Sequence, residues 1–222
     1  MAGYELPKAD EIERKSFAII ESELAQMGVR AAQFAPGHFE ILRRVVHSSA
    51  DYDFVKNLHI HPEAVPSALS AFRSGAPVLV DVEMVRSGVN RAALEKRGCA
   101  LHCFMGDPDV AEAAKRENTT RAIAAMKKAA RVLGRDARPV VAVGNAPTAL
   151  LALVDLVNSG VLRPALVVGA PVGFVQAAES KEALLGLPVP SIVARGRKGG
   201  STVAVAIINA LLRLLDANGG SR

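Results

Sequence analysis

Val140-Val141-Ala142-Val143, running into Gly144-Asn145-Ala146-Pro147-Thr148, is an unbroken apolar segment that ends in a glycine turn and leads into a helical pattern. A short, β-branched run of this kind reads as a strand buried on both faces. The arrangement recurs at Val78-Leu79-Val80-Asp81-Val82, at 100–105, at Ala165-Leu166-Val167-Val168 and at Ile192-Val193-Ala194, each followed by a helical pattern. Buried strands alternating with helices imply a parallel sheet with right-handed crossovers. The expectation is one α/β domain over 1–222, with about five mainly parallel strands, helices on both faces and no internal repeat. Residues 216–222 are expected to form a flexible tail.

The bulk composition agrees. A chain of 222 residues that is 50% hydrophobic can bury a sizeable core. Aromatic residues are only 4% and Trp is absent, so the core must be built from Ala, Val, Leu and Ile, and platforms for stacking nucleic-acid bases are scarce. The net charge of +5 favours anionic partners. Its densest cluster, Arg195-Gly196-Arg197-Lys198, lies among glycines, which suits a local anion pocket better than a nucleic-acid groove. No nucleic-acid partner is expected.

Cys99 and Cys103 sit four apart in a run that reads as a strand, sharing a face and poorly placed to bond each other. They read as small buried hydrophobes in a reducing cytosol. Alternation would point His102 away from them, which argues against a metal site there. No cationic start leads into an apolar run, and the longest apolar tract, 202–215, is too short for a bilayer span and contains Asn209 and Arg213. A soluble cytoplasmic protein, not bound to membrane, is expected.

Along the first third, acids lead a helical pattern from Asp10 that carries Ile12, Ser16, Ile19 and Ile20 and ends near Met27-Gly28. Pro36-Gly37 breaks the chain, and a second pattern over 39–46 delivers His47 at its end. His59-Ile60-His61-Pro62 is short extended chain; its histidines have no third ligand nearby and suit surface or capping roles. A helix then runs from Pro62-Glu63 to Arg73. Further on, one long helix is expected over 109–133, with Arg121 inside it. Another is expected from about Val172, with Glu179-Ser180-Lys181 about two turns in on a solvated face.

Ligands of open α/β sheets bind beyond the carboxyl ends of the strands. There stand Asp81-Val82-Glu83-Met84, Gly106-Asp107-Pro108, Gly144 to Thr148, Gly169-Ala170-Pro171-Val172-Gly173 and Gly196-Arg197-Lys198-Gly199-Gly200-Ser201. Neither of the last two has the spacing of a dinucleotide fingerprint or a phosphate loop. The residues leave two readings of the Gly196 turn open: a carboxylate site at the start of the Ser201 helix, or a capped helix behind a solvated basic loop. His47 is the candidate acid or base, because its proton comes on and off near neutral pH. It stands in Arg43-Arg44-Val45-Val46-His47-Ser48-Ser49-Ala50-Asp51, where Asp51 could orient it and Ser48 or Ser49 could hydrogen-bond nearby. No G-x-S-x-G elbow accompanies it.

Six stretches together resemble the precorrin-8X (cobalt-precorrin-8) methylmutase family of cobalamin biosynthesis. They are Ile12-Glu13-Arg14-Lys15-Ser16-Phe17, Arg44 to Asp51, Asp81 to Val85, Gly144-Asn145-Ala146-Pro147-Thr148-Ala149-Leu150, Gly169 to Phe174 with Ala178-Glu179-Ser180-Lys181, and Gly196 to Ser201. The resemblance implies a homodimer with a cleft near the subunit interface. It also implies an isomerase that moves a methyl group from C11 to C12 of a contracted tetrapyrrole, without cofactor or metal. His47 would be the general acid that protonates the conjugated ring and eases a 1,5-shift. The substrate's carboxylate arms would meet Arg121, Lys181, Lys198 and Ser201, with Ser16, Met84, Asn145 and Thr148 in the cleft and Arg14, Ser48, Gly173 and Gly200 as further substrate contacts. Product handover to neighbouring pathway enzymes, and a non-catalytic corrinoid carrier, are compatible with the same resemblance. Gln176 stands where many relatives carry a small residue.

Overall fold

In the computed structural model, which describes residues 9–219, the apolar runs become strands. Strands β2 (Val78–Val80), β4 (Val140–Val143), β5 (Leu166–Gly169) and β6 (Ser191–Ala194) are buried along their whole length. All four are parallel neighbours, and β3 (Leu101–His102) adds a short parallel edge beside β2. A further strand, β1 (Leu58–Ile60), pairs antiparallel with β6 and completes a six-stranded sheet in the order β1-β6-β5-β4-β2-β3. The sequence reading expected five strands and left 59–62 as extended chain. Three half-exposed residues containing His59 carry no apolar run to mark a strand; their pairing partner supplies it.

Side chains alternate across the sheet, as a two-residue period requires. Val78, Val80, Val140, Ala142, Leu166 and Val168 face one layer, made of α1 (Ala9–Gln26), α2 (His38–Ser49), α4 (Ala64–Arg73), α5 (Glu83–Gly88) and α11 (Ser201–Gly219). Leu79, Val141, Val143, Val167 and Val193 face the other, made of α8 (Arg121–Leu133), α9 (Pro147–Asn158) and α10 (Ala177–Leu185). Shorter helices α3 (Phe54–Asn57), α6 (Arg91–Glu95) and α7 (Pro108–Arg116) fill the connections. Helices on both faces of a mainly parallel sheet are as expected.

Three expectations need correction. The helix expected over 109–133 is two, α7 and α8: Asn118 turns left-handed (φ 47°), and Thr120 caps the second by accepting from the Ile123 N–H at 3.2 Å. Arg121 therefore opens a helix. Similarly, α10 begins at Ala177 and not near Val172, because Gly173 (φ 153°) and Gln176 (φ 59°) hold 172–176 as a loop. Finally, α11 continues to Gly219, so 216–219 of the expected tail are helical, while 220–222 lie outside the described residues. Among the described residues no helix is long and apolar enough to cross a membrane.

Candidate active site

His47 sits in the last turn of α2, which stops where Ala50 adopts the left-handed conformation (φ 52°) and donates its N–H to the Val46 carbonyl at 2.8 Å. Both serine hydroxyls serve this ending: Ser48 Oγ and Ser49 Oγ donate to the Val45 carbonyl at 3.0 and 2.8 Å. Neither orients the imidazole. Asp51 does not either. It accepts the Asp53 N–H at 2.9 Å and the Lys198 ammonium at 2.6 Å, the latter holding its carboxyl below the usual carboxylate range.

The neighbour of the His47 ring is Phe17 on α1, edge-on, with centroids 5.1 Å apart and planes at 62°. Arg43 and Arg44, one turn earlier on α2, place their guanidinium carbons 4.4 and 4.6 Å from the Phe17 centroid. Arg43 pairs with Glu21, and Arg44 with Glu13 at 2.5 Å; Glu13 also accepts Arg213 of α11 at 3.0 Å. The hydrogen bond from Arg44, with help from Arg213 against partial burial, pulls the Glu13 carboxyl down to about 2. The two arginines thus belong to an α1–α2–α11 seam that borders His47 through Phe17.

The loops at the carboxyl ends of the strands are stitched together from inside. Asp81, 1% exposed at the end of β2, accepts the N–H groups of Gly144, Asn145 and Ala146 at 2.9, 2.8 and 2.9 Å. Burial pushes this carboxyl up while the three N–H groups pull it back. The turn so held presents Asn145, exposed, and Thr148, whose hydroxyl lies 3.2 Å from that of Thr120, the cap preceding Arg121. Asp81 itself was missed as a site residue. A carboxylate at a strand end looks solvated in sequence, and only the tertiary fold brings it to the next loop's amides.

The two glycine turns interlock in the same way. Gly200 N–H donates to the Ala170 carbonyl at 2.7 Å and Gly173 N–H to the Arg197 carbonyl at 3.2 Å. A Cβ on Gly199 would stand 2.4 Å from the Ala170 oxygen, so only glycine fits there. Lys181, expected on a solvated face, is fully buried with Ser180. Its ammonium donates to the carbonyls of Gly196 (2.9 Å) and Lys198 (2.7 Å), and burial pushes its pKa down to about 8. Lys181 therefore holds the basic turn from beneath. Lys198 bridges outward to Asp51 and Asp53, both at 2.6 Å, joining this turn to the segment that follows His47. Ser201, 8% exposed, opens α11 so close to the β4–α9 turn that a Cβ on Gly144 would lie 2.9 Å from its Cα.

Three groups of the expected site residues result. Met84, Arg121, Asn145, Thr148, Gly173, Lys181, Lys198, Gly200 and Ser201 belong to the strand-end rim. Ser48 and His47 belong to the end of α2, tied to that rim through Asp51. Ser16 and Arg14 lie on α1; Arg14 is exposed and lines a groove with Phe17, Glu21 and Arg43. Arg197, part of the basic cluster but not among the expected site residues, lies 5.5 Å over the Phe174 ring and makes no ion pair among the described residues. Met84, Phe174 and Val175 are 70%, 84% and 78% exposed, giving the rim an apolar surface beside its cations.

A cavity of about 380 Å³ opens at the opposite, amino ends of the strands, where Ser70, Asp136 and Arg138 help to line it. Neither histidine nor cysteine is among its lining residues, so the chemistry points to the carboxyl rim. No cluster of three or more His, Cys, Asp or Glu residues capable of holding a metal ion occurs among the described residues. His61 instead accepts the Glu63 N–H at 3.1 Å through Nδ1, a capping role, and both cysteines are free.

Comparison with known proteins bears on what this arrangement does. The family model described as precorrin-8X methylmutase matches residues 11–214. The chain is 44% identical to the cobalt-precorrin-8 methylmutase of Leptospira interrogans, covering 95% of this chain and 96% of that one. It is 46% identical to the cobalt-precorrin-8 methylmutase of Priestia megaterium, covering 93% and 88%. A crystal structure of precorrin-8x methyl mutase from Thermus thermophilus superposes with a TM-score of 0.84 at 41% identity, covering 95% of this chain and 98% of that chain.

Proposed function

The chain belongs to the precorrin-8X methylmutase family, and on that premise we propose that it moves a methyl group from C11 to C12 of precorrin-8X or its cobalt counterpart, with His47 as general acid. The reaction is an isomerisation in cobalamin biosynthesis. His47 lends a proton to the conjugated macrocycle; the electron-poor ring allows the methyl to migrate between adjacent carbons; the proton then returns to the imidazole, so atoms and charge balance.

The observation that carries the assignment of His47 is its setting. The half-buried ring makes no hydrogen bond among the described residues, so no internal carboxylate competes for the proton. The turn after it is fastened by Lys198 to a basic loop. Such a rim suits a substrate bearing many carboxylate arms. Arg121 and Arg197, unpaired among the described residues, are its readiest cations. Lys181 acts from beneath by shaping the turn, and Lys198 must share its ammonium between the aspartates and any substrate carboxylate. Met84, Phe174 and Val175 supply apolar surface for the macrocycle or for a second copy of the chain, which supports the homodimer implied by the resemblance. A cytoplasmic location and handover of product to a neighbouring pathway enzyme fit the same reading.

Incubation with metal-free and cobalt-containing precorrin-8, followed by visible spectroscopy, tests it. The expected result is conversion of at least one substrate by the wild-type chain and loss of conversion, with pigment still bound, in His47→Ala. A coloured complex whose ring never changes would identify a carrier instead.

A further inference from the structure

The three α2 side chains that meet Phe17 are spaced to do so. Arg43, Arg44 and His47 stand at i, i+1 and i+4 and share the side of α2 that faces α1. Phe17 is half-buried and packed against the main core, so its ring is anchored on the inside. On the outside the two guanidiniums lie over it, each fixed in turn by an α1 carboxylate, Glu21 or Glu13. The Arg43 Nε is buried without an acceptor. A donor left in that state is unfavourable, and it persists because the rest of the guanidinium is held by Glu21 and the ring. The remaining contact of Phe17 is the edge-on one with the imidazole of His47.

We propose that Phe17 is the positioning residue of His47: the clamped ring sets the orientation of the imidazole, the task that a hydrogen-bonded carboxylate performs for many catalytic histidines. This rests on the reading of His47 as the acid. The chemical logic lies in what a hydrocarbon cannot do. A carboxylate that orients an imidazole also holds its proton, stabilising the imidazolium. Phe17 fixes the ring by shape and offers no carboxylate to hold the proton, so the proton stays available to the macrocycle. The same geometry gives Arg43 and Arg44 a use that needs no contact with substrate.

Steady-state turnover of precorrin-8 by Phe17→Leu and Phe17→Tyr tests this, alongside the proton resonance of the His47 Cε1–H in the substrate-free chain, assigned by its loss in His47→Ala. Misplacing a catalytic group by about an ångström can cost on the order of 100-fold. Phe17→Leu is therefore expected to lose roughly 10- to 100-fold in kcat with KM changed less than about threefold, while Phe17→Tyr, which keeps the aromatic edge, stays within about threefold of wild type in both. The His47 resonance is expected to shift in the Leu variant, from loss of the ring current, and to stay in place in the Tyr variant. Equal losses in the two variants, or an unchanged kcat in Phe17→Leu, would overturn the proposal. Normal turnover by His47→Ala would instead remove the acid assignment itself.

Discussion

The ammonium of Lys198 lies 2.6 Å from a carboxylate oxygen of Asp51, four residues after His47, although the two residues are 147 apart in the chain. This ion pair fastens the end of α2 to the basic turn before α11. Its side chains are 48% and 28% exposed, so solvent screens the pair and it contributes little to global stability. Its consequence is for binding. Lys198→Met is expected to melt within a few degrees of wild type yet to raise KM for precorrin-8 several-fold, with the effect shrinking at high salt. Thermal melts and steady-state kinetics at two ionic strengths would decide it. A large loss of stability would mean that the pair is structural.

Lys181 is expected to behave in the opposite way. Its buried ammonium has a folded pKa pushed down to about 8 from an ordinary value of 10.5. Below the folded value the charge is kept at a cost, and between the two values the unfolded chain binds more protons, so this group's contribution to stability rises with pH. The gain amounts to about 2 kcal/mol on going from about pH 7.5 to about pH 9.5. Lys181→Met removes that dependence and leaves the Gly196 and Lys198 carbonyls without their donor. The variant should be less stable than wild type throughout, by an amount that grows with pH, and should bind substrate more weakly because the turn beneath Lys198 loosens. Urea unfolding of both proteins at the two pH values reads the difference directly, with other groups cancelling.

Lys181 also marks where the sequence stops being informative. The buried strands were legible because apolar runs such as Val140 to Val143 can lie only in a sheet covered on both sides. The placement of His47 at a helix end was legible because helix end, imidazole and loop are neighbours in the chain. What escaped depends on contacts made across the fold. The burial of Lys181 follows from two carbonyls of a turn 15 and 17 residues away. Strand β1 exists through its pairing with β6. The partner expected for His47, Asp51, was taken by Lys198, while Phe17, 30 positions upstream, supplied the contact that proximity along the chain suggested for Asp51.

Asp81 offers a test of the rim's internal stitching. Its two oxygens accept three N–H groups in a site with almost no solvent. An asparagine would have the same shape but would turn an NH2 group toward at least one of these donors, leaving buried N–H groups unpaired. Asp81→Asn is expected to lose about 2–4 kcal/mol in chemical denaturation. It should also raise KM, because Asn145 and Thr148 sit on the turn that Asp81 holds. A variant that unfolds like wild type would show that the turn is fixed by packing alone.

Glu13 makes the seam behind His47 sensitive to acid. The hydrogen bond from Arg44, followed by that from Arg213, depresses its carboxyl from 4.5 to about 2. A carboxylate depressed in the folded state adds stability that is fully present above its unfolded pKa and disappears as pH falls through the folded one. Taken at face value the shift is worth roughly 3 kcal/mol. The Glu13 side chain is 34% exposed, so solvent screening brings the expectation down to about 1–2 kcal/mol. Glu13→Gln should therefore be less stable than wild type near neutral pH, and the two unfolding curves should converge between about pH 4.5 and pH 2. Because Glu13 holds Arg44, and Arg44 lies over Phe17, the same variant should lower kcat at neutral pH by less than Phe17→Leu does, with KM little altered. A kcat at the wild-type level, together with the predicted loss of stability, would mean that Phe17 keeps its place without Arg44 and that the clamp is held by Arg43 and Glu21.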